Sequence, residues 1–121
     1  MDRSEFLPFN GKVIEKITGA HKDSDEIRFH LEGGQVWRMH HHQDCCEQVL
    51  VEDVDGDVAD LVGHLCDGEI ASREAAQGEC CESGTWTFYK FKSPNGYVTI
   101  RWLGQSNGYY SESVDVEEVK P

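Results

Sequence analysis

Positive charge is what this sequence has least of. Lys and Arg number 11 against 23 Asp and Glu, a formal net charge of −12 in 121 residues. Such a surface repels phosphate backbones and anionic membranes within a Debye length, so direct nucleic-acid binding and membrane-surface binding drop out of the reading. Long apolar runs are also missing, and none nears the roughly 18 residues that a membrane-spanning helix needs. The first residues, MDRSEFLPFNGK, have neither the basic start nor the apolar stretch of an export signal, which predicts a cytoplasmic protein. Gly33-Gly34 and the other glycines lack the flanking Lys-Ser/Thr or helix start that cradles phosphate, and no serine nucleophile elbow appears. No catalytic residue is therefore assigned. Strands alternating with helices, the mark of a parallel sheet, are not visible either.

What is present reads as one domain over residues 1–121, long enough to bury a single core. The pattern predicts a mainly β, α+β fold: antiparallel hairpins forming a curled sheet or small open barrel, with one short helix near 57–65. Residues 1–11 read as an irregular lead whose aromatics dock on the body. A first strand is expected over 12–18. In residues 26–32, EIRFHLE, Ile27, Phe29 and Leu31 alternate with polar residues, a half-buried strand. A three-residue loop, Glu32-Gly33-Gly34, would pair Phe29 with Trp37 and Ile27 with Met39 on one face. Another strand is expected over 48–54. Asp57 is placed to cap a helix in which Val58, Leu61, Val62 and Leu65 share a face. Residues 66–84 are poor in large apolar side chains and predict a short strand or helical turn near 70–76, then a loop held by little burial. Residues 85–92 and 97–103, joined by Ser93-Pro94-Asn95-Gly96, form a hairpin pairing Phe91 with Val98, Tyr89 with Ile100, Thr87 with Trp102, Phe88 with Arg101 and Trp86 with Leu103. It is apolar on much of both faces and reads as the scaffold's centre. In residues 109–119, Tyr110, Val114 and Val116 fall on one side.

Two clusters carry chemistry. His40-His41-His42 and Asp44-Cys45-Cys46-Glu47 bring imidazole and thiolate together, the ligands zinc prefers, and His40, His42, Cys45 and Cys46 are the candidate ligands. The vicinal cysteines lack the spacing of structural zinc sites. Against the zinc reading stands the plain alternative that one cysteine of each pair is a small buried hydrophobe and its neighbour is exposed. A cysteine nucleophile activated by a neighbouring histidine is disfavoured by the acidic residues from Asp44 to Asp55. Asp53, Asp55 and Asp57 imitate a calcium loop, but the positions for its Gly and bidentate Glu hold Val58 and His64. The second cluster lies near 101–112. Arg101, Trp102, Ser106, Asn107, Tyr109 and Tyr110 mix a cation, rings, an amide and a hydroxyl, as suits a pocket for a small polar ligand or an interface hot spot.

The strings DCCEQVLVEDVDGDVADLVG (44–63), TWTFYKF (85–91) and TIRWLGQSNGYYSESV (99–114) resemble an uncharacterised family of small domains encoded mainly by bacteriophages and prophages. That resemblance implies a provenance in a bacterial host's cytoplasm, and no activity. His40-His41-His42 and Cys80-Cys81 depart from the family's pattern. The resulting expectation is a non-enzymatic accessory binding protein, of an anti-defence kind, that binds a host protein through an acidic and aromatic surface or sequesters a small nucleotide-like signal. The alternative is a zinc-dependent hydrolase using residues 40–46.

Overall fold

The computed structural model describes residues 3–42, 47–74, 83–106 and 112–119, with the backbone alone for residues 3–5, 74 and 83. Nine strands appear among the described residues: β1 (Arg3–Phe6), β2 (Ile14–Thr18), β3 (Glu26–Leu31), β4 (Val36–His40), β5 (Gln48–Asp55), β6 (Gly68–Glu74), β7 (Ser83–Ser93), β8 (Gly96–Ser106) and β9 (Asp115–Glu118). They form a five-stranded sheet, in the order β1-β6-β7-β8-β5, and a four-stranded sheet, β2-β3-β4-β9. All pairings are antiparallel, and neither sheet closes into a barrel. The mainly β expectation holds, divided between two sheets that share a core.

Alternation builds that core. From the four-stranded sheet come Ile14, Ile27, Phe29, Leu31 and Met39; from the five-stranded sheet come Val49, Val51, Tyr89, Phe91, Val98, Ile100 and Trp102. Phe29 joins the two layers, stacked 5.5 Å from Phe91 and tilted 5.2 Å from Phe9. Both hairpin registers match the sequence reading, with Phe29 opposite Trp37 and Ile27 opposite Met39, and Thr87 opposite Trp102. The second hairpin is tighter than its four-residue loop suggested. Ser93 pairs with Gly96, leaving Pro94 and Asn95 at the tip, and the Ser93 hydroxyl receives the Asn95 amide proton.

Two local expectations change. The lead is partly a strand, β1, laid against β6, with Arg3 opposite Ser72; Phe9 docks in the core while Phe6 stays 76% exposed. Asn10 fastens this lead, its side chain donating to the Gly68 carbonyl and accepting from the Gly68 amide. The helix near 57–65 is a single 3-10 turn, Val58–Leu61. Asp57 does cap it, accepting from the Ala59 amide at 2.9 Å. Val62 is already extended, Gly63 takes a φ of +88° and donates to the Ile14 carbonyl, so the chain leaves the turn to join the neighbouring strand. Leu65 and Val62 are consequently exposed rather than part of an apolar helix face. The short strand near 70 is β6, and the loop expected after it lies mostly outside the described residues.

Candidate functional site

The outer face of the four-stranded sheet is a ladder of charge. Register sets Arg28 opposite Arg38 and Arg38 opposite Glu117, with Glu26 opposite His40 and His40 opposite Asp115 in the next rung. Two arginines face one another directly, which repels unless carboxylates intervene. Glu26 does so, bonding Arg28 Nε at 2.5 Å and Arg38 Nη1 at 3.4 Å. Glu117 accepts from Arg38 through both Nε, at 3.0 Å, and Nη2, at 2.5 Å. Arg38 first, and then His40, hold the Glu117 carboxyl well down, to about 2. Hydrogen bonding from Arg28 likewise lowers Glu26. Both carboxylates are therefore fully ionised near neutrality.

Three histidines meet the end of this ladder. His40 Nε2 lies 2.8 Å from Glu117 Oε1, and His42 Nε2 lies 3.4 Å from Glu117 Oε2 and 3.9 Å from Asp115 Oδ2. The imidazole rings of His40 and His42 stand 4.5 Å apart. His41 turns the other way, as alternation requires, into a buried pair with Glu47. Its Nδ1 lies 2.7 Å from the Ser113 carbonyl and its Nε2 lies 2.7 Å from Glu47 Oε2, with side chains only 4% and 0% exposed. The buried pair borders a cleft of about 290 Å³ lined by Asp25, Glu26, His40, His41, Glu47 and Gln48, among others.

The outer face of the five-stranded sheet is different in kind. Trp86 lies opposite Leu103 on one side and Arg73 on the other, while Phe88 lies opposite Arg101 and Ala71. Trp86 and Phe88 stack at 6.4 Å. Arg73 stands over both rings, at 5.8 and 5.9 Å, and Arg101 over Trp86 at 5.3 Å. Arg101 also approaches Asp53 at 3.8 Å, yet its Nε is buried with no hydrogen-bond partner among the described residues.

The expected ligand face is therefore divided. Arg101 is half-buried on this outer surface, but Trp102 is fully enclosed on the core side, because neighbouring strand residues point oppositely. The ring that accompanies Arg101 is Trp86, which sequence reading assigned to the scaffold. The pairing of Phe88 with Arg101 already placed Trp86 on the outer face; what was missing was that Arg73, from the neighbouring strand β6, stands over the same ring. Ser106 bonds the buried Glu112 carboxylate, which also accepts from Thr85 at 2.8 Å. Asn107, Tyr109 and Tyr110 lie outside the described residues, as do Cys45 and Cys46. Of the four metal candidates the structure describes His40 and His42 and brings them to Glu117, which no motif suggested.

A family profile, that of a domain of unknown function named DUF7448, matches residues 9–116. The chain belongs to the DUF7448 family. No curated protein and no solved structure matches it. In this DUF7448 domain the matched span takes in both sheets from β2 to the start of β9, and with them the charge ladder and the arginine–tryptophan cluster. Among the described residues no helix is long and apolar enough to cross a membrane.

Proposed function

We propose that this protein is a non-enzymatic binding protein of the phage accessory kind its motifs resemble, and that it engages a host protein through the outer face of the five-stranded sheet. The observation that carries this reading is Trp86 with Arg73 and Arg101 over its ring, on the outer face of the five-stranded sheet. Tryptophan and arginine dominate interface hot spots because they bring large, rigid area and planar donors at once. Sequestration of a nucleotide-like signal is supported less well. A base would have to stack on Trp86, and guanidinium groups from both neighbouring strands already stand over that ring. A protein partner needs no such displacement, and a carbonyl or carboxylate on it would meet the accessible part of the Arg101 side chain, which is 40% exposed. The charge of −12 favours a partner with a basic surface around that contact, reached faster at low salt.

The test compares what wild type and Trp86→Ala retain from a bacterial host extract, with melting curves of both. A host protein held by wild type, lost from the variant and also lost from Arg101→Glu supports the reading, provided both variants melt near wild type. If every retained protein persists on both variants, the face is misassigned.

A further inference from the structure

We propose that His40, His42 and Glu117 form a binding site for a divalent transition ion of the zinc class, which clamps β9 to the end of β4. This inference is independent of the binding face on the other sheet. Each residue offers one ligand atom, and the three atoms lie within 4.8 Å of one another. In a tetrahedral zinc site with bonds of about 2.0–2.2 Å, ligand atoms stand roughly 3.3 Å apart. The separations from the Glu117 carboxylate, 2.8 Å from His40 Nε2 to Oε1 and 3.4 Å from His42 Nε2 to Oε2, run to its two different oxygens and lie on either side of that value. The adjustment still needed is on the order of 1 Å. His42, with 64% of its side chain exposed, has room to make it.

The placement follows from the strand geometry. His40 and His42 are two residues apart on extended chain and so share a side, and the pairing of Arg38 with Glu117 brings the carboxylate alongside them. Two imidazole nitrogens and one carboxylate oxygen suit zinc, nickel or copper, whereas calcium and magnesium take oxygen ligands. Arg38 supplies the outer support. Its two bonds to Oε1 fix the carboxylate and leave Oε2 toward His42. Its positive charge opposes a cation, and Glu26 and Asp115, the latter 3.9 Å from His42, offset it. Three protein ligands also leave a coordination position for water. The simpler account, a hydrogen bond from His40 to Glu117 and nothing more, gives His42 no role.

His42 is therefore the discriminating residue. Protein prepared without a polyhistidine tag is titrated with zinc by calorimetry, and separately with cobalt while its visible spectrum is recorded. The expected result is one ion per chain, a melting temperature that rises with zinc concentration, and a cobalt spectrum without a sulfur charge-transfer band. His42→Ala and Glu117→Gln should each weaken binding by about tenfold or more. Because His42 is exposed, the metal-free melting temperature of His42→Ala should stay near wild type. Zinc binding unchanged in His42→Ala, a strong sulfur band that assigns the ion to cysteines, or an adventitious ion only, held equally by all variants, would overturn the proposal.

Discussion

Among single residues, the three tryptophans show how little identity says about role. Trp102 fills the core at 0% exposure, Trp37 packs at its edge 5.6 Å from Phe9, and Trp86 stands outside under two arginines. In the sequence, Trp86 and Trp102 both sit in aromatic runs beside alternating polar residues, and nothing there says which side a second layer covers. Cys66 gives the sharpest residue-level prediction. Its thiol is buried against Asn10, whose side-chain oxygen it meets at 3.2 Å, and burial, with some help from Asp67, pushes it up to about 12. The thiol ordinarily ionises near 9.0. Folding therefore holds that proton more tightly, so this group subtracts nothing from stability below about 9 and lowers it as pH rises toward 12. Since the thiolate is the nucleophile, Cys66 should resist iodoacetamide at pH 8 in the folded chain and react after denaturation, as peptide mass spectrometry would read. Labelling at equal rates in both states would contradict the burial.

At the level of elements, hairpins were legible and crossings were not. Loop length together with burial on one face fixes the β3–β4 and β7–β8 registers, because a slip by one residue would expose Phe29 or Ile100. The partner of β1 and the carboxylate beside His40 come from far along the chain, 69 residues separating Arg3 from Ser72 and 77 separating His40 from Glu117. No local pattern encodes such pairs. The helix over 57–65 failed for a related reason: its apolar spacing was correct, but Gly63 and the edge of β2 redirect the chain. Passage from the five-stranded to the four-stranded sheet, between β8 and β9, depends on Gly104. A Cβ there would lie 2.4 Å from the Glu112 carbonyl oxygen and 2.8 Å from Glu112 Cβ. Gly104→Ala must push that segment away from Thr85 and Ser106, and overpacking of this kind costs about 1–3 kcal/mol. Urea denaturation checks it; a variant as stable as wild type would mean that the segment yields freely.

For the molecule as a whole, charge and architecture act together. A five-stranded and a four-stranded sheet share one aromatic core, and the 23 acidic residues exceed the basic ones by 12. Self-repulsion at this level opposes the compact state, and added salt screens it. The urea midpoint should therefore rise between low salt and about 0.5 M sodium chloride, where the Debye length shrinks to a few ångströms. A falling midpoint would show that the ladder of Glu26, Arg38 and Glu117 outweighs the repulsion. β9 itself is four residues, Asp-Val-Glu-Glu, at the margin of its sheet among the described strands. Unpaired strand margins invite a second molecule to add its own strand, the first step toward fibrils, and a brief margin crowded with carboxylates turns such a visitor away. The strand that completes the histidine cluster thus also makes that margin of the sheet a poor template for another copy of the chain.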